Sequence, residues 1–87
     1  MALRSPILNV MVMAVEKAGR KLVRDFGELE QLQVSIKGFG DFVSAADLRA
    51  EKILRAELSK ARPGFGFLLE EGGTVEGTDT EHRWIVD

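Results

Sequence analysis

The chain is 87 residues long, carries a formal net charge of −2 and contains no cysteine. This length allows one small domain with a modest core, and the slightly negative charge argues against a general nucleic-acid binder. The lack of cysteine excludes a disulfide framework and a thiolate metal site. Because no apolar run approaches a membrane span and no signal-type cleavage site follows the N-terminus, we expect a cytoplasmic protein.

A first helix is predicted over residues 5–26. Ser5 suits the N-cap, Pro6 suits the first helical position, and Gly27 is expected to end the helix. Apolar residues recur at helical spacing, at Leu8, Met11, Val15, Ala18, Leu22 and Phe26. Another face carries a basic stripe of Lys17, Arg20, Lys21 and Arg24. A solvated helix face is the favoured interpretation of this stripe, and an RNA or other anionic partner is the alternative.

Residues 31–43 predict a β-hairpin. Apolar and polar residues alternate over residues 31–37, which is typical of a half-buried strand. The glycine-containing segment 38–41 is expected to form the turn, and residues 42–43 to begin the returning strand. The Gly-x-Gly in this turn lacks the remaining residues of a phosphate-binding loop.

A second helix is predicted over residues 44–61. Ser44 is expected at its N-cap, with Asp47 three residues later completing a capping box. The apolar face consists of Ala50, Ile53, Leu54, Leu58 and Ala61. Pro63 and Gly64 follow and end the helix. The capping box gives Asp47 a full structural explanation from the pattern alone.

Two short apolar runs end in acidic residues. The run 64–69 predicts a buried strand followed by Glu70 and Glu71, and Trp84–Val86 predicts another followed by Asp87. We expect the strands to share one oxygen-lined site at their carboxyl ends, with Glu71 pointing away from it. Ordinary solvated charges at strand ends remain the alternative interpretation. The polar residues 72–83 between the runs predict a mobile loop.

Four segments together resemble the N-terminal part of the inositol monophosphatase family, and most closely its bacterial members of extragenic-suppressor type. The segments are KGFGDFVSAAD at 37–47, EKIL at 51–54, FLLEE at 67–71 and WIVD at 84–87. Leu69 departs from the pattern, because many members have glycine there. The chain stops inside the family's Asp-Pro-x-Asp-Gly-Thr signature, of which only Asp87 is present. We therefore expect residues 1–87 to be the N-terminal part of a single, longer phosphatase domain.

The resemblance implies an α/β fold of the layered α+β sandwich type, with two long helices packed on a small, mainly antiparallel sheet. It implies a magnesium-dependent, lithium-sensitive phosphatase that hydrolyses inositol monophosphate or a similar phosphomonoester. Because so short a chain has little stability to spare, we also expect a homodimer that buries the exposed sheet edge against another copy. Matched to the family motif, Glu70 and Asp87 are Mg²⁺ ligands, and Asp47 and Glu70 are catalytic, with Asp47 orienting the attacking water. Mg²⁺ prefers such carboxylate oxygens and can activate a bound water.

Two alternatives to this function stay open. The chain resembles bacterial proteins that are also linked with RNA and transcription complexes, so a non-catalytic, helix-mediated interaction module is one of them. A sugar phosphatase similar to fructose-1,6-bisphosphatase is the other, and the residues that would distinguish it lie beyond Asp87. In either phosphatase case, the 87-residue chain alone is expected to be inactive, because the later metal-binding aspartates of the family are missing.

Overall fold

The computed structural model describes residues 5–29 and 36–87. These described residues form two helices and three strands: α1 (Pro6–Leu29), α2 (Ile36–Ala61), β1 (Gly66–Leu69), β2 (Gly73–Val75) and β3 (Arg83–Val86). The helices pack along each other, and the strands form one sheet in the order β2-β1-β3. β1 pairs antiparallel with β2 and parallel with β3. The predicted class of two long helices on a small sheet is confirmed, and the sheet is mixed.

The start of α1 follows the sequence prediction. The hydroxyl oxygen of Ser5 accepts a hydrogen bond from the N–H of Leu8 at 3.2 Å, and its carbonyl accepts one from Asn9 at 2.9 Å. Ser5 therefore caps the helix. The predicted end is wrong, because α1 continues through Gly27 to Leu29. One glycine costs a helix only about 1 kcal/mol relative to alanine, which does not by itself terminate it.

The predicted turn and return strand at residues 38–43 are wrong. Residues 36–43 form the first turns of α2, whereas the strand predicted before them falls on residues 30–35, outside the described part of the chain. The helical path brings Phe42 onto Phe26 of α1 in an edge-to-face contact with a ring separation of 5.3 Å. We attribute the difference to this tertiary contact, which outweighs the local turn preference of two glycines. Ser44 consequently lies inside α2, and the predicted capping box is absent there.

The core lies between the helices and one face of the sheet. It contains Ala14, Leu58, Phe67, Leu69 and Trp84, all buried. Phe67 and Leu69 are buried whereas Leu68 between them is exposed, as the period of a strand requires. Trp84 of β3 anchors this core from the sheet. Within residues 5–29 and 36–87, neither helix carries the uncharged apolar length that crossing a bilayer requires.

A buried carboxylate joins the two helices. Asp25 is only 3% exposed and accepts hydrogen bonds from Lys21 at 2.9 Å and from Arg49 of α2 at 3.1 Å. The bond from Lys21, with that from Arg49, holds the pKa of Asp25 below its ordinary value of 3.8, although burial acts in the opposite direction. A second ion pair, between Lys17 and Glu57 at 2.5 Å, spans the same pair of helices.

The loop after β2 packs directly on the start of β1. A Cβ atom at Gly66 would lie 2.6 Å from the carbonyl oxygen of Val75, and one at Gly77 would overlap the backbone of Gly64 and Gly66. The N–H of Asp79 also donates to the carbonyl of Gly64 at 2.9 Å. The segment 72–83, predicted as a mobile loop, thus includes strand β2 and a return that is hydrogen-bonded to the chain before β1.

Candidate acidic site at the ends of β1 and β3

The parallel pairing of β1 and β3 brings two acidic residues to one edge of the sheet. Leu69 lies opposite Val86, and the N–H of Glu70 donates to the carbonyl of Val86 at 3.1 Å. Glu70 and Asp87 are the next residues along each strand. The expectation that both acids leave the same end of neighbouring strands is therefore confirmed.

A pocket of about 260 Å³ lies at this edge. Its acidic lining residues are Asp47, Glu51, Glu70, Glu71 and Asp87. Asp47 reaches the pocket as expected, but from the interior of α2 rather than from its first turn. Glu71 is exposed and also lines the pocket, and the direction of its side chain stays a prediction.

Glu51 is the pocket residue to which the sequence reasoning gave no role. Its Oε2 accepts a hydrogen bond from the N–H of Glu71 at 2.9 Å, which ties the turn after β1 to α2. A Cβ atom at Gly72 would lie 3.0 Å from Oε1 of Glu51 and 2.9 Å from Leu69, so the turn passes close against the carboxylate. The sequence signal that could have identified Glu51 is its position four residues after Asp47. Like charges four residues apart destabilise an isolated helix, and they therefore point to a role beyond it.

The acidic residues of the pocket concentrate negative charge. None of the five forms an ion pair with another residue of the described ranges, 5–29 and 36–87. Such a cluster attracts cations, and an all-carboxylate donor set suits a hard divalent ion such as Mg²⁺. No three acidic or histidine side chains in the described ranges already stand close enough to cage a metal. Mg²⁺ keeps several of its waters, so two carboxylates are a chemically suitable donor set.

A comparison with known proteins identifies the family. The model of the inositol monophosphatase family matches residues 3–87. The chain belongs to the inositol monophosphatase family. The inositol-1-monophosphatase of Mesorhizobium japonicum is 69% identical over 84 residues, which are 97% of this chain and 32% of that protein. The Nus factor SuhB of Escherichia coli K12 is 34% identical over 82 residues, covering 94% of this chain and 31% of that protein.

Solved structures show the same inositol monophosphatase fold. The crystal structure of extragenic suppressor protein SuhB from Bartonella henselae matches with a TM-score of 0.78 and 54% identity, over 95% of this chain and 30% of that chain. The chain therefore spans about a third of the length of the relatives it matches. Family membership confirms the resemblance read from the sequence, and inositol monophosphatases are generally metal-dependent.

Proposed function

We propose that residues 1–87 are the N-terminal part of a magnesium-dependent phosphatase domain that hydrolyses inositol monophosphate or a similar phosphomonoester. The observation that carries this proposal is the placement of Glu70 and Asp87 at one sheet edge, around a pocket that Asp47 also lines. Family membership and the relatives named inositol-1-monophosphatase support the class of reaction.

Four of the five acidic residues have a role in the proposed site. Glu70 and Asp87 would hold Mg²⁺, which when bound makes a water more acidic and offsets the charge of the phosphoryl group. Asp47 accepts a hydrogen bond from the attacking water and so orients it. Glu51 holds the backbone just after Glu70 through the N–H of Glu71, and so fixes the direction in which Glu70 leaves the strand. Glu51 is therefore a positioning residue.

The finer properties belong to the same proposal. Lithium inhibition is expected because Li⁺, a small monovalent cation, competes for the carboxylates that hold Mg²⁺.

A cytoplasmic homodimer is proposed as well. It is supported by apolar side chains exposed on α1 and β3, among them Val15 at 60% and Ile85 at 69%. Sedimentation at several concentrations measures that self-association.

The proposed activity is tested by phosphate release from inositol 1-phosphate, with and without Mg²⁺. The 87-residue chain and the longer product of its gene are assayed side by side, each purified from a host that lacks its own inositol monophosphatase. We expect turnover by the longer product only, and a loss of roughly a hundredfold or more in its Glu70→Gln variant. A Glu76→Gln variant, changed at an exposed acid outside the pocket, is the matched control. Mg²⁺-dependent turnover by the 87-residue chain alone would contradict the proposal.

Two alternative functions can be distinguished with the same proteins. Fructose 1,6-bisphosphate in place of inositol 1-phosphate tests the sugar phosphatase alternative, for which preferred turnover of the bisphosphate is the expected sign. The non-catalytic interaction module is favoured by the relatives named Nus factor SuhB. It predicts that the longer product hydrolyses neither substrate while remaining folded.

A further inference from the structure

A basic groove lies between the two helices, and it shares no lining residue with the acidic pocket. Lys17, Arg20, Lys21 and Arg24 of α1 line it, with Ile53 of α2, and its volume is about 300 Å³. The four cations follow the i, i+3, i+4, i+7 spacing that places residues on one helix face. They therefore extend along about 10 Å of the helix.

Two of these cations are available to a ligand. Lys17 pairs with Glu57, and Lys21 pairs with the buried Asp25. Arg20 and Arg24 form no ion pair and no side-chain hydrogen bond with any residue that the structure describes. Both arginines are exposed. The groove thus presents two guanidinium groups that no described residue pairs, beside two lysines that are already partly neutralised.

The lining of the groove is positive, although the chain as a whole is negative. Arg49 adds a fifth cation through its contact with Asp25. No acidic residue of the described ranges lines the groove, although Asp25 and Glu57 each pair with one of its lysines. The chain as a whole has a net charge of −2.

We propose that this groove binds a single-stranded phosphodiester backbone. Guanidinium groups match phosphate oxygens in a bidentate geometry, and a row of cations along the helix suits a ligand with one negative charge per unit. Among the residues that the structure describes, Ile53 is the only apolar one in the lining, and no aromatic side chain takes part. Binding is therefore directed at the backbone and not at the bases. The concave shape and the scarcity of apolar side chains do not suit a membrane surface, which takes a helix with a large apolar face.

Fluorescence anisotropy with labelled 12-nucleotide single strands of mixed sequence tests this proposal. RNA and DNA versions are titrated with the chain over a range of NaCl concentrations. Two to four phosphate contacts predict a slope of log K against log salt of about −1.4 to −2.8. The double variant Arg20→Glu, Arg24→Glu is expected to lose about tenfold or more in affinity and about 1.4 in slope.

The matched control is the double variant Arg55→Glu, Arg83→Glu. It changes the net charge equally at two exposed arginines that do not line the groove, and it is expected to retain most of the affinity. Circular dichroism checks the helix content of both variants. If charge reversal disturbs the fold, Arg20→Gln with Arg24→Gln replaces it, since this pair adds no negative charge.

The outcomes separate the possible ligands. Equal binding of RNA and DNA supports recognition of the shared backbone, and a preference for one strand supports the proposal and identifies the source. Three results would overturn it: no binding at low salt, equal losses in the groove and control variants, or stronger binding of the groove to poly-glutamate or to anionic vesicles than to either strand. The last would assign the groove to an acidic protein segment or to a lipid surface.

Discussion

Glu70 donates its backbone N–H to the carbonyl of Val86 at 3.1 Å, one residue beyond the end of strand β1. The parallel ladder therefore continues past the strand, and Glu70 is held beside the chain that leads into Asp87. Two acids that are distant in sequence consequently leave the sheet at the same edge. Side chains carried on strand ends are positioned more firmly than those on free loops, which suits a site that must hold a metal.

The buried carboxylate predicts a specific loss of stability in acid. Because the pKa of Asp25 is lowered in the folded chain, its stabilising effect is fully present above the ordinary value of 3.8 and is lost as the pH falls through the lower, folded value. We expect the urea midpoint to decrease over that range, and to decrease less in Asp25→Asn. Asp41→Asn, at an exposed residue with no ion pair in the described ranges, is the control and should keep the original profile. Parallel curves for Asp25→Asn and the unmodified chain would contradict the account.

The close backbone contact at Gly77 predicts a strong effect of one methyl group. Gly77→Ala places a Cβ against the backbone before β1, and overpacking of this kind costs about 1–3 kcal/mol in the free energy of unfolding. Gly19→Ala is the matched control, because nothing lies within 4 Å of its added Cβ in the helix. The control should gain roughly 0.5–1 kcal/mol. Urea denaturation measures both values, and equal effects at the two positions would count against the described loop geometry.

The hydrogen bond that Glu51 accepts predicts that alanine and glutamine at this position differ in their cost to the free energy of unfolding. Glu51→Ala removes the acceptor of the Glu71 N–H and should cost about 0.5–1.5 kcal/mol in unfolding free energy. Glu51→Gln retains an oxygen acceptor and should cost less. Glu16→Ala, at an exposed acid of α1, controls for the loss of a charge. If the alanine and glutamine variants at position 51 unfold alike, the hydrogen bond does not hold the turn.

Local sequence signals were sufficient to predict those elements whose structure depends mainly on residues within one segment. Ser5 and Pro6 specify the start of α1, and the apolar runs before Glu70 and Asp87 specify β1 and β3. From these runs the shared edge of the two acids followed, because only a parallel arrangement of neighbouring strands brings both carboxyl ends together.

The features that were predicted wrongly or overlooked depend on contacts between segments that are distant in sequence. The extension of α2 through Gly38 and Gly40 places Phe42 on Phe26, and no local pattern contains that contact. Because of the same extension, Asp47 has no capping role, but it still lines the acidic pocket. Glu51 was missed because its partner is the backbone of a turn twenty residues away, which sequence periodicity does not report.

The most direct test of the central claim is a titration of the ¹⁵N-labelled chain with Mg²⁺, followed by NMR. Glu70 and Asp87 share a divalent-ion site in this account, so the amide signals of both residues should shift together and give one dissociation constant. Glu70→Gln should abolish the response at both positions, whereas Glu76→Gln should leave it intact. Independent shifts at the two residues, or a response at Asp87 that survives Glu70→Gln, would contradict the claim.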